Sequence, residues 1–159
     1  MKLLKVLVVV FGVLFGAAVF AADPAPLVML KNTTSQMLKE LDRHIGRLKN
    51  NDKSVYNLVN RVLVPHFDLD RMSKAVVGPY WRKASSATQQ QFIKEFKRYI
   101  IRTYSTALQS YDGETIKFFP IRGRIGKRVQ VDSDLLLKNG PPVQIQYRLI
   151  QQKGKWLIY

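Results

Sequence analysis

Ser105-Thr106-Ala107-Leu108-Gln109-Ser110-Tyr111-Asp112-Gly113-Glu114-Thr115-Ile116-Lys117-Phe118-Phe119 is the stretch in which the apolar residues change their period. Up to Tyr111 they recur at the three-and-four spacing of one helix face; beyond Asp112-Gly113, a natural turn, the pattern alternates as in a half-buried strand. A helical half therefore precedes a strand half, which predicts an α+β fold.

Upstream of the switch, Ser86 followed by Gln89 reads as a capping box that opens a helix from Ala87 to about Ser110, roughly 36 Å long. Phe92, Phe96, Tyr99, Ile100, Thr103, Tyr104, Ala107, Leu108 and Tyr111 form its apolar face, with Lys94, Lys97, Arg98, Arg102, Ser105 and Gln109 opposite. Ile101 falls among the basic residues and is expected to be partly exposed or covered by a partner. Earlier, Leu27, Leu30, Thr34, Met37, Leu41, Ile45 and Leu48 mark a long amphipathic helix that Asn50-Asn51 breaks. Asp52 is placed to cap a second helix carrying Val55, Leu58, Val59, Val62 and Leu63, which Pro65 stops. A short third helix runs from about Asp68 to Val77, ended by Gly78 in a left-handed conformation, with Pro79 barring continuation.

Downstream, strands are predicted near Thr115 to Phe119, Arg128 to Leu137, Val143 to Gln152 and Lys155 to Tyr159. The third is the clearest: Val143, Ile145, Tyr147 and Leu149 face one way and Gln144, Gln146, Arg148 and Ile150 the other. Asn139-Gly140-Pro141-Pro142 and Gln152-Lys153-Gly154 supply the turns between them. An antiparallel sheet of about four strands packed on helices follows. The last strand stops at Tyr159 in mid-pattern, so a further C-terminal piece is expected.

At the other end, Lys2 and Lys5, an apolar run from Val6 to Phe20 and small residues at Ala17, Ala18, Ala21 and Ala22 read as an export signal rather than a membrane anchor, cut after Ala21. With no cysteine, the chain has neither a lipoprotein acylation site nor a disulfide. The mature part, residues 22–159, is one domain of ordinary size, expected in the periplasm. The formal charge of +15 becomes +13 once Lys2 and Lys5 are removed. Such an excess seeks polyanions; export points away from nucleic acid and toward lipid head groups and acidic partner proteins.

Reaction chemistry is hard to find. His66 and Asp68 flank Phe67 at a helix start, where Asp68 serves better as a cap than as the partner of a general base. His44 flanks the first apolar stripe, and two isolated histidines without cysteine make no recognisable metal site. Asp132 and Asp134 share a strand face, an arrangement open to calcium or a base but equally an exposed polar face. No glycine-rich phosphate loop or serine elbow occurs. What remains is a concentration of aromatics, Tyr80, Trp81, Phe92, Phe96, Tyr99, Tyr104 and Tyr111, either a filled core or the wall of a tunnel for an apolar ligand.

Val62-Leu63-Val64-Pro65-His66-Phe67-Asp68, then Met72, Gly78, Trp81-Arg82, Ala84-Ser85, Gln89, Phe92, Phe96 and Tyr104, resembles the periplasmic phospholipid-binding proteins of the toluene-tolerance (MlaC) family. Arg122 to Val131, Val143 to Leu149 and Lys155 to Tyr159 extend the likeness over nearly the whole mature chain; family members usually continue past the position of Tyr159. The resemblance implies a carrier, not an enzyme, without cofactor or metal. It would hold phospholipid in an apolar cavity between helices and sheet and exchange it, as a monomer, with an outer-membrane lipoprotein complex and an inner-membrane ABC-type transporter to maintain lipid asymmetry. The role is physically sensible, since moving two bare acyl chains through water costs on the order of 20 kcal/mol. On this reading Phe67, Met72, Val76, Trp81, Phe92, Phe96, Tyr99, Ile100, Tyr104, Leu108, Val131, Ile145 and Tyr147 line the cavity. Arg82, Arg98, Arg102, Arg122, Arg124, Lys127 and Arg128 meet head groups or partners, with steering of partners and membranes favoured because one head group needs few cations. Three alternatives stay open: a small α+β cavity enzyme with a buried carboxylate or histidine base, a salt-sensitive lipopolysaccharide-binding module, and an adaptor with a filled core.

Overall fold

The computed structural model describes residues 22–48 and 52–159. The expected export signal, the Asn50-Asn51 break and the side chains of His44 and Asp52 lie outside the described residues.

Helix α1 (Ala25–Leu48) starts where the Pro24 carbonyl accepts from the amides of Leu27 and Val28, at 2.9 and 3.0 Å. Pro26 sits in its first turn, where a missing N–H costs nothing. Its stripe divides between two clusters. Leu27 and Leu30 pack on Val131 and Leu149 of the sheet, while Met37 and Leu41 join Val55, Leu58, Val59 and Val62 of α2 (Asp52–Val62) in a helical core. One long helix thus seats both halves of the fold.

Pro65 does not end the helical path outright, because a 3-10 turn, Val64–His66, follows α2. Helix α3 (Leu69–Val77) is capped by Asp68, which accepts from the Arg71 amide at 3.0 Å and from its guanidinium at 3.2 Å. Asp68 also accepts from Gln152 of the sheet. Asp68→Ala is therefore expected to lower stability by about 2 kcal/mol, more than an isolated cap, with chemical denaturation as the check. Gly78 closes α3 at a positive φ of 63° but with ψ −135°, outside the left-handed helical conformation expected, and the chain continues as a 3-10 turn, Gly78–Lys83, since Pro79 is well suited to a first turn.

Helix α4 (Ser86–Gln109) begins one residue earlier than the sequence suggested. Ser85 is the cap, its Oγ accepting from the Thr88 amide at 3.2 Å, while the Gln89 side chain reaches back to the carbonyls of Trp81 and Ala84. Three residues of α4 lie on other faces than expected. Ile101, expected near the surface, is 0% exposed in the helical core, and Ser105 is buried, whereas Tyr99 is 68% exposed. With apolar residues spread widely around α4, packing on α2 selected the Ile101 side, and the tyrosines, amphipathic to their tips, tolerate water.

Strands β1 (Thr115–Phe118), β2 (Arg128–Leu136), β3 (Val143–Gln152) and β4 (Lys155–Ile158) form an antiparallel sheet in chain order. Lys153 and Gly154 both have positive φ, as a two-residue hairpin turn requires. The edge of β4 is closed by the helical half: Phe67 bridges Ile158, and the Asp68 amide donates to the Ile158 carbonyl at 2.8 Å. Tyr159 lies under the guanidinium groups of Arg71 and Arg128, at 5.6 and 5.9 Å.

Candidate functional site

The register puts Ile116, Phe118, Val129, Val131, Ser133, Leu135, Val143, Ile145, Tyr147, Leu149, Trp156 and Ile158 on one face of the sheet. The helices do not cover that face evenly. The first half of α1 buries Val131 and Leu149, whereas α4 packs on α2 and α3; toward the β2–β3 hairpin Ser133 is buried, Leu135, Ile145 and Tyr147 are half-buried, and the end of the face at Val143 is exposed. Val143 is 47% exposed there, and Tyr104 of α4 is 48% exposed. Exposed apolar side chains also occur elsewhere, at Val76, Tyr80, Tyr99 and Ile125 among others.

Tyr147 is half-buried on this face. Burial holds its hydroxyl above the usual tyrosine range, opposed by a hydrogen bond with Ser133 and reinforced by the nearby Tyr104 hydroxyl of α4. Its ring lies 6.0 Å from that of Phe118. Phe118 in turn lines a groove of about 370 Å³ between α1 and β1, with Leu38 and Ile116 as its other apolar walls and Lys31, Thr34, Ser35, Lys39 and Asp42 around it. That volume is at the lower end of small-molecule pockets, roughly 300–1,000 Å³. Apolar side chains with lysines close by suit an elongated apolar ligand with an anionic end.

Of the cavity residues read from sequence, Ile145 and Tyr147 share the sheet face and Tyr104 of α4 lies near Tyr147. Val131 shares the sheet face but is sealed beneath α1. Trp81, Phe92 and Phe96 form a separate aromatic stack, edge-on at 6.1 Å and then face-on at 5.8 Å, where the 3-10 turn meets α4. Ile100 is buried, Leu108 packs on the helical core, and Phe67 and Met72 are half-buried in and after the turn that meets β4. Val76 and Tyr99 are surface residues, because α3 and α4 turn them away from their mutual contact. Leu38, Ile116 and Phe118 were not singled out by sequence. The signal available was Leu38 at the flank of the α1 stripe and the alternation of β1.

Arg82, Arg98, Arg102, Arg122, Arg124, Lys127 and Arg128 are exposed. Arg98 is held by Glu95 at 2.9 Å, and Arg128 lies over Tyr159. Arg82 and Arg102 stand on the helical side, and Arg122, Arg124 and Lys127 project from the β1–β2 connection.

Asp132 and Asp134 point to the opposite face of the sheet, Asp132 accepting from Gln130 at 2.8 Å. Among the described residues, no three of His, Asp and Glu gather as a metal site would need. Asp68 is engaged as a cap and not with His66. Burial keeps the His66 imidazole below its ordinary 6.5. The unfolded chain then protonates first, so stability is expected to fall as pH drops below about 6.5 and to level off once the folded form also protonates. Thermal melts across this range should show that slope, and His66→Gln should flatten it.

Comparison with known proteins gives a consistent picture. The family model described as MlaC protein matches residues 31–159. The toluene tolerance protein Ttg2D of Pseudomonas putida is 31% identical over 138 residues, covering 86% of this chain; the chain spans 64% of that relative's length. The fold is similar to that of a phospholipid-binding protein from Ralstonia solanacearum solved in complex with a phospholipid, with a TM-score of 0.77 and 29% identity over 87% of this chain and 76% of that one.

Proposed function

The chain belongs to the MlaC family, and on that premise we propose that it is a periplasmic phospholipid carrier rather than an enzyme. Acyl chains enter the cleft between Tyr104 and the sheet face carrying Ile145 and Tyr147, and continue toward Leu38, Ile116 and Phe118. Lipid is exchanged between an outer-membrane lipoprotein complex and an inner-membrane ABC-type transporter, which maintains lipid asymmetry.

The observation that carries this reading is the uneven cover of the sheet. A filled adaptor core would bury Val143 and Tyr104, whereas both stay about half exposed beside two well-packed hydrophobic clusters. An acyl chain covers such a surface without any bond being made or broken. Each buried methylene contributes about 0.8 kcal/mol, so a bound lipid leaves only when the cleft opens or a better apolar site is offered. The Ralstonia solanacearum protein of the same fold, solved with phospholipid, supports the same cargo class.

The test is uptake. Protein stripped of lipid is incubated with vesicles containing fluorescent phospholipid, and the vesicles are sedimented. The expected result is intact fluorescent phospholipid in the supernatant at a ratio near one per protein. A lipid-free supernatant overturns the carrier reading, and recovery of hydrolysed lipid turns it toward the cavity-enzyme alternative.

A further inference from the structure

The connection between β1 and β2 runs Phe119-Pro120-Ile121-Arg122-Gly123-Arg124-Ile125-Gly126-Lys127. Ile121 packs against the cluster of Leu27, Leu30, Val131 and Leu149. Four residues on, Ile125 is 44% exposed between Arg124 and Gly126. Gly123 adopts φ 80°, and a Cβ added at Gly123 or Gly126 would touch nothing, so the tip of this connection stands clear of the rest of the chain.

The charge around the tip has one sign. No acidic residue occurs between Glu114 and Asp132, an interval holding Lys117, Arg122, Arg124, Lys127 and Arg128. The Gln151 amide donates to the Lys127 carbonyl at 2.8 Å, which brings the β3–β4 turn, with Lys153 and Lys155, to the same end of the sheet. Among the described residues, Arg122, Arg124, Lys127, Lys153 and Lys155 form no ion pair. Unpaired like charges repel one another in the free protein, and that repulsion is relieved when a polyanion covers them. An exposed isoleucine in their midst narrows the choice of polyanion. Cations flanking an apolar side chain match a surface that is anionic outside and hydrocarbon just beneath.

We propose that this loop docks the protein on anionic lipid bilayers, with Arg122, Arg124 and Lys127 on the phosphates and Ile125 inserted among the head groups. The docking does not rest on the cargo reading, since the loop carries its own charge and apolar tip whether or not the cleft holds lipid.

Sedimentation with vesicles of about one-third phosphatidylglycerol in phosphatidylcholine tests it. The wild-type chain is expected to bind these vesicles, to ignore pure phosphatidylcholine, and to be released at about 1 M salt, where the screening length shrinks to roughly 3 Å. Each cation near such a surface is worth about fivefold in partitioning, so Arg122→Gln, Arg124→Gln and Lys127→Gln together are expected to weaken binding on the order of a hundredfold. Ile125→Ser should weaken it several-fold with the salt dependence unchanged. These side chains are exposed, and an unaltered circular-dichroism melt verifies the fold of each variant. Undiminished binding by the triple variant, or equal binding to pure phosphatidylcholine, overturns the proposal; so does capture by an immobilised acidic protein with no binding to the vesicles. Lipid extracted from the same samples separates the two readings: a triple variant that keeps its cargo but loses the vesicles supports docking alone, and an empty wild-type protein that still binds vesicles contradicts only the carrier reading.

Discussion

Tyr104→Glu is expected to empty the protein of phospholipid while leaving it folded. The Tyr104 hydroxyl is near enough to Tyr147 to act on it electrostatically, so its replacement sets a carboxylate beside the proposed path of the acyl chains. Burying an unpaired carboxylate beneath hydrocarbon costs several kcal/mol, enough to lower affinity by a hundredfold or more. The fold should tolerate the change, because Tyr104 is half-exposed and α4 is anchored by its buried neighbours Ile100 and Ile101. Phospholipid per protein, measured after organic extraction beside a thermal melt, is the check. A folded variant with normal lipid content would move the site away from this cleft.

The largest stability effect is expected at Ile101. It is fully buried among Met37, Leu41, Val55, Leu58, Val59 and Val62, where α1, α2 and α4 meet. Ile101→Ala should cost about 3 kcal/mol through lost transfer energy and the cavity left behind, lowering Tm by roughly 10 °C. The same change at Tyr99, on the exposed side of α4, should stay within about 0.5 kcal/mol. Paired calorimetric melts of the two variants measure this contrast directly. Equal small effects would restore the surface position that charge patterning suggested for Ile101.

That contrast also shows what could be read from the residues alone. The α+β order, the antiparallel sheet and the bounds of β3 follow from local periods and turn residues, which need no knowledge of neighbours. The orientation of α4 does not. Ile101 is bracketed by Arg98 and Arg102, and nothing local tells a helix ringed with apolar residues which side α2 will take. The start of the same helix was ambiguous for a related reason, since Ser85 and Ser86 are equally good caps and the Gln89 contacts with Trp81 and Ala84 are tertiary. The cleft was half legible. Tyr104, Ile145 and Tyr147 stand out as bulky residues with polar surroundings in sequence, whereas Leu38, Ile116 and Phe118 come to line one groove only because α1 lies against β1. Trp81, Phe92 and Phe96 carry the strongest aromatic signal in the chain, and they are spent on one another in joining the 3-10 turn to α4.

The central claim is that the partly covered sheet face beside Tyr104 holds phospholipid. Native mass spectrometry of the protein purified from a bacterial periplasm, followed by fragmentation of whatever is released, tests it most directly. The account predicts a species heavier than the bare chain by one phospholipid, lost on Tyr104→Glu. A bare mass, reproducibly obtained with gentle handling, would contradict it.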